Sequence, residues 1–198
     1  MMRIACLFAA MSVVACTGDV GESQGSGGSG GATAGTAPGG GSGGGAAGSG
    51  GTAGTAPDPF GAAPTCTSGT MWTQGDKGSD DMNPGRACIT CHSMGDGPSL
   101  TIAGTVYPTA HEPDLCNGAN GANGARVVIT GADGQTLTLT PRSSGNFNSR
   151  TRVTLPYRAK VTYMGRERAM ATAQTSGDCN SCHTQTGTNS APGRILLP

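Results

Sequence analysis

The chain has 198 residues, 36 of them glycine, with 35% hydrophobic and only 4% aromatic residues. Its 12 Lys and Arg balance 12 Asp and Glu, and no basic block runs through it, which excludes an ordinary nucleic-acid-binding surface. So few Trp, Phe and Tyr predict a thin core, so something besides apolar side chains must fill the folded part.

Residues 1–15, MMRIACLFAAMSVVA, place Arg3 ahead of a mostly apolar run that is too short to span a bilayer and reads as an export signal. The sequence Val13-Val14-Ala15-Cys16 resembles the lipobox of bacterial lipoproteins. That resemblance implies cleavage before Cys16, acylation of that cysteine and anchoring in a membrane of the bacterial envelope. Thr17 after Cys16, rather than Asp, points by the same analogy to the outer membrane. An ordinary export signal with an incidental cysteine is the alternative, and Cys6 lies inside the removed segment. Residues 16–64 are rich in Gly, Ser, Ala and Thr. They offer little surface to bury and much backbone entropy to lose, so the stretch is expected to be a disordered tether. About 40 such residues would hold a folded part roughly 35 Å from the anchor.

Six further cysteines follow: Cys66, Cys88, Cys91, Cys116, Cys179 and Cys182. Four of them form two Cys-x-x-Cys-His units, Cys88-Ile-Thr-Cys91-His92 in the segment 65–98 and Cys179-Asn-Ser-Cys182-His183 in the segment 173–198. This spacing is the attachment signature of haem c. Two thiols three positions apart can add to the two vinyl groups of one porphyrin, and the adjoining imidazole then reaches the iron. A zinc site built from the four cysteines and redox disulfides of thioredoxin type are alternatives. The first is opposed by the distance between the pairs and the histidine after each, the second by the lack of a βαβ pattern around either pair. Together with the run Met82-Asn83-Pro84-Gly85-Arg86-Ala87 before the first unit, the two segments resemble the haem sites of bacterial multihaem c-type cytochromes. The resemblance implies two covalently held haems, His92 and His183 as axial ligands, and electron transfer.

Each iron would take a sixth ligand or stay open. His111 is the one remaining histidine and so a candidate, together with the thioethers of Met82, Met94, Met164 and Met170, and more weakly Met71; any one methionine more often fills a core, and Met82 and Met170 are favoured because they lie shortly before Cys88 and Cys179. A His/Met haem would sit at a higher potential than a bis-His neighbour, so an unequal pair is expected. Cys66 and Cys116 are left over, and in an oxidising compartment a disulfide between them is the economical expectation. It would clip the segment before the first unit to the loop carrying His111.

Residues 99–172 read as β-structure. In SLTIAGTVYP, Leu100, Ile102, Gly104 and Val106 alternate toward one face, the period of a half-buried strand. In ARVVITGADGQTLTLT, Asp133-Gly134 separates two β-rich arms with Val127 and Ile129 on one and Leu137 and Leu139 on the other, a hairpin signal. After the turn RSSGNF, the stretch RTRVTLPYRAKVTYMGRERAMATA provides up to three more strands separated by Pro156 and Gly165. The loop NGANGANGA at 117–125 is expected to be mobile. The fold class expected is mainly β: a small antiparallel β-sandwich flanked by two loop or short-helix cysteine segments and preceded by the tether. The run Gly104-Thr105-Val106, Ala125–Thr130, Asp133-Gly134, Ser144-Gly145-Asn146-Phe147 and Pro156–Val161 also resembles the carboxypeptidase regulatory-like, transthyretin-type sandwich. That second resemblance implies a fold and nothing catalytic.

Because the ends of a domain lie close together, the two cysteine units are expected to be neighbours, with the macrocycles supplying apolar surface and the apo chain around them poorly ordered. The function expected is that of an envelope-anchored dihaem electron carrier acting between other redox proteins, without a small-molecule substrate. Two alternatives stand beside it: a haem enzyme with one open coordination position, and a cell-surface interaction module whose cysteine pairs are structural.

Overall fold

The computed structural model describes residues 58–95 and 97–198; the export signal, Cys16 and the tether up to residue 57 lie outside the described residues. Within them, no helix is long and apolar enough to cross a membrane. One short helix, α1 (Cys88–Met94), is followed by strands β1 (Ile102–Tyr107), β2 (Arg126–Thr130), β3 (Thr136–Leu139), β4 (Asn146–Ser149), β5 (Arg158–Tyr163), β6 (Arg166–Ala169) and β7 (Ile195–Leu196). The strands form two sheets, one ordered β4-β1-β7 and the other β3-β2-β5-β6. All pairs are antiparallel except β1 with β7. The molecule is a mainly β structure of sandwich type.

The core lies where the two sheets face each other. Ile102, Val106 and Phe147 come from the first sheet, Val127, Ile129 and Val161 from the second. Period-two alternation puts them there: β2 is buried at Val127 and Ile129 and half-exposed between. Register carries the same face across the sheet, with Val127 opposite Leu139 and Val161, and Ile129 opposite Leu137 and Ala159. The β2–β3 turn uses Gly134 at φ +77°, and the Asp133 carboxylate accepts from the Gln135 N–H and the Thr154 hydroxyl. A two-residue turn, Met164-Gly165, both at positive φ, joins β5 to β6.

Three expectations change. Strand β1 is not half-solvated: all six residues are buried. Its second face, Ala103, Thr105 and Tyr107, is covered by the cysteine segments, which a strand's own periodicity cannot reveal. The stretch before Pro156 adds no strand. It crosses as a connection, with the Thr154 carbonyl taking the Ala132 N–H, so residues 150–173 hold two strands, β5 and β6, of the up to three expected there. The asparagine- and glycine-rich loop is pinned, its Asn117, Gly118, Ala119 and Gly121 N–H groups each donating to a carbonyl of another segment. Gly118 permits this approach: a Cβ there would sit 2.1 Å from the Val106 carbonyl oxygen.

The final segment completes the first sheet. Ala103 donates its N–H to the Gly177 carbonyl, Asp178 bridges to Ala103 in parallel, and β7 pairs with the end of β1. Gly177 is as close to β1 as backbone can come, since a Cβ would lie 1.8 Å from the Thr101 oxygen. The second Cys-x-x-Cys-His unit is thereby seated directly on the strand that follows the first.

Candidate functional site

The first unit is a single helical piece. Pro84 and Gly85 are buried in the turn before it, and the Gly85 N–H donates to Thr105 Oγ1 at 3.0 Å. Helix α1 then carries Cys88 and Cys91 one turn apart, so both thiols share a side. His92 Nδ1 lies 3.0 Å from the Pro98 carbonyl oxygen. Gly97 makes room for the ring, because a Cβ there would be 2.7 Å from that nitrogen.

The second unit is a 3₁₀ turn over Cys179–Ser181. The Ser181 hydroxyl donates back to the Asp178 carbonyl at 2.6 Å, and the Cys182 and His183 amides both close onto the Cys179 carbonyl. His183 Nδ1 faces the Gly193 carbonyl at 2.9 Å. Burial pushes its basicity below the ordinary value, so the imidazole is neutral near pH 7. In both units a carbonyl takes the Nδ1 proton, which leaves the lone pair on Nε2. This is the tautomer and the outer support that a metal-binding histidine needs.

The two units touch. Asp178 Oδ2 accepts from both the Thr90 N–H (2.8 Å) and its hydroxyl (2.9 Å), across 88 residues of chain. Asn180 is completely buried and joins three segments. Its Oδ1 takes the Thr105 N–H, while its Nδ2 donates to the Arg86 carbonyl and to Thr105 Oγ1 and lies 3.9 Å from Cys88 Sγ. Burial, reinforced by the Asp178 carboxylate and the Cys179 sulfur, pushes the Cys88 thiol up to about 12. Burial does the same to Cys179, also to about 12, against the Tyr157 hydroxyl 4.0 Å from its sulfur. Cys88, Cys91 and Cys179 carry free thiols, whereas Cys182 is disulfide-bonded. The other carboxylate oxygen of Asp178 is buried without a hydrogen-bond partner.

The candidate sixth ligands fare differently. Both ring nitrogens of His111 face backbone carbonyls, Gln185 on one side and Phe60 on the other. In this arrangement neither nitrogen is free of a carbonyl, and a distal role requires that His111 leave one of them. Met170 borders an apolar cavity of about 270 Å³ that also takes in Cys179, Cys182 and His183. Met82 is half-buried beside the turn before the first unit, its carbonyl holding Asn146. Met71, Met94 and Met164 are exposed. Cys91, Thr90 and Met94 face Ser181, Thr184 and Gln185 across a second, more open groove.

Cys66 and Cys116 are joined by a disulfide spanning 50 residues, beside Glu112, whose buried carboxylate takes the Thr67 N–H and the Thr109 hydroxyl. Among the described residues this trio is the one gathering of three metal-binding side chains, and its sulfurs are bonded to each other. The sulfurs of the two Cys-x-x-Cys-His units do not converge on a common zinc position.

Sequence reading missed Asp178, Asn180 and Arg194. The first two stand inside DCNSCHT, where a polar residue in a motif reads as solvated. Arg194 belongs to a repeated tripeptide, Pro-Gly-Arg at 84–86 and 192–194, of which the second arginine is buried and the first exposed.

Two outcomes are expected here. Asn180→Ala leaves the Thr105 N–H without a partner and takes from the Arg86 carbonyl its amide donor, leaving it only the Cys88 thiol at 3.4 Å, for a loss of about 2–4 kcal/mol in urea unfolding; a loss below about 1 kcal/mol would show that water replaces the amide. The His111 imidazolium is favoured by its two carbonyls, which raise its basicity above the ordinary 6.5. Its contribution to stability is therefore complete below pH 6.5 and fades as pH rises through the elevated value. The difference in melting temperature between the parent and His111→Asn should shrink over that upward step.

Comparison with family models, with curated proteins and with solved structures finds no match to this chain.

Proposed function

We propose that this chain is a dihaem c-type electron carrier of the bacterial cell envelope, anchored through an acylated Cys16 and passing single electrons between other redox proteins. The observation that carries the reading is the matched pair of imidazoles, His92 and His183. Each follows a Cys-x-x-Cys, and each has Nδ1 tied to a carbonyl and Nε2 open. Cys88 and Cys91 would hold one haem and Cys179 and Cys182 the other. When bound, haem supplies a one-electron ferric/ferrous couple. The polypeptide contributes placement, because the Asp178–Thr90 and Asn180–Arg86 links keep the two attachment segments side by side.

The buried thiols bear on how the cofactor would be loaded. With Cys88 and Cys179 raised to about 12, both stay protonated in the closed molecule, and the thiolate is the reactive form. Attachment at Cys88 and Cys179 would therefore belong to the open chain, with the junction between the two units closing afterwards.

The test is mass measurement of the mature protein from a host that attaches haem c, together with its absorbance after denaturation. Two haem masses on one chain and a retained reduced α-band support the proposal; a colourless chain, or zinc in elemental analysis, overturns it. One observation favours a second reading, a haem enzyme with an open position, because His111 offers no free nitrogen in this arrangement. Low-spin, six-coordinate spectra from both haems would eliminate it.

A further inference from the structure

The core-facing side of the second sheet does not end as it begins. Residues paired across strands share a face, so that side runs from Leu139 through Val127 and Val161 to Arg168. Three apolar residues are followed by a guanidinium. Two positions away Tyr163 stands opposite Arg166 on the same side. Arg168 has no ion pair among the described residues, while the neighbouring Lys160 is committed to Glu167 at 2.7 Å.

Inward charges on edge strands also discourage aggregation. That explains a charge on β6 but not what lies beneath this one. Arg168 borders the cavity of about 270 Å³ whose walls include Val127, Phe147, Tyr157 and Val161 and which also reaches Cys179, Cys182 and His183. The volume is near the lower end for ligand pockets, enough for one edge of a flat molecule. A ligand suited to it has an apolar body, a reactive point at the second cysteine unit and a negative group at the rim.

Resting on the function proposed above, we infer that this inter-sheet cleft seats the macrocycle attached at Cys179 and Cys182, and that Arg168 neutralises one of its propionate carboxylates. The ligand class is thus a planar porphyrin bearing peripheral carboxylates, and the sandwich is the wall of the second cofactor site. A positive charge at the rim opposes the more positive, oxidised form of the cofactor, so its removal lowers the midpoint potential of that haem.

The experiment uses the haem-loaded full chain. Cys88→Ser/Cys91→Ser isolates the second haem and Cys179→Ser/Cys182→Ser the first, and Arg168→Gln, Arg168→Lys and Arg168→Glu are placed in each background. All four residues of β6 are exposed, so these substitutions leave the fold intact, as a thermal melt verifies. In redox titrations at pH 7, Arg168→Gln should raise the oxidised-to-reduced ratio of the second haem about tenfold at fixed potential, a shift of about 59 mV. Arg168→Glu should shift it further and Arg168→Lys much less, with the first haem unmoved. A purely protective edge charge predicts no dependence on sign. An unchanged second haem in Arg168→Gln, or a shift confined to the first, overturns the inference while leaving the dihaem reading intact. Absence of haem from the parent chain overturns both.

Discussion

Replacing Arg194 with leucine is expected to cost about 4 kcal/mol of unfolding free energy, the largest effect of any single side chain outside the apolar core. The guanidinium is fully buried. It donates from Nε to the Glu112 carbonyl (2.8 Å) and from Nη1 to the Gly85 carbonyl (2.9 Å) and the His183 carbonyl (3.4 Å), and it pairs through Nη2 with Asp114 (2.6 Å). Its carbon lies 5.1 Å above the Tyr107 ring centroid, close enough for a cation–π contact. Leucine fills part of the volume but leaves several buried carbonyls without donors, each costing about 1–3 kcal/mol. Asp114, whose side chain is 55% exposed, recovers water and so softens the loss relative to a fully buried pair. Against a total stability of about 5–15 kcal/mol, the variant is expected to lose between about a quarter and most of its stability. Arg194→Lys keeps the charge but not the fork and should recover less than half. Urea titration of parent and variants decides it, and a leucine variant within about 1 kcal/mol of the parent would remove Arg194 from its central place. Arg194 also follows Gly193, the residue that orients His183, so its loss should loosen that imidazole.

Removing the Cys66–Cys116 disulfide by a double change to alanine should cost a similar amount. The bond closes a loop with a sequence separation of 50, and chain-entropy reasoning assigns such a loop about 4 kcal/mol at 25 °C. The whole first Cys-x-x-Cys-His unit lies inside that loop, so without the bond the unfolded chain regains the freedom of the segment that must lie against Asp178 and Asn180. Hydrogen exchange should show the consequence locally: protection of the Thr90 amide, which donates to Asp178, is expected to fall more than that of the Ile129 amide in the hairpin. Equal changes at both positions would mean that the bond stabilises the molecule globally and does not tether the first unit.

Both expectations reflect how differently the molecule is held at its two ends. Between the sheets, apolar side chains such as Ile129 and Phe147 are removed from water. Around the cysteine units, the buried groups include Thr105, Glu112, Asn146, Asp178, Asn180 and Arg194, joined by hydrogen bonds, the Cys66–Cys116 disulfide and backbone contacts that require glycine. Polar networks of this kind are costly when incomplete. The unpartnered Asp178 oxygen between the two units marks the place where the network is least complete.

The sequence alone determined the β2–β3 hairpin with its inward Val127, Ile129, Leu137 and Leu139, and the break at Gly165 between β5 and β6, because alternation and turn glycines are written into neighbouring positions. It also determined the two Cys-x-x-Cys-His units, since a pair of thiols and an imidazole is local chemistry. Only the tertiary structure decided that both faces of β1 are buried, that the loop at 117–125 is pinned, and that Arg194 is an interior residue. The same holds for the meeting of the two units through Thr90 with Asp178 and Asn180 with Arg86. Those contacts join residues 88 and 94 positions apart, and a polar side chain carries no mark of the distant partner it will meet. Burial of such groups follows from where the β-sandwich returns its ends, a property of the folded chain and of no short stretch within it.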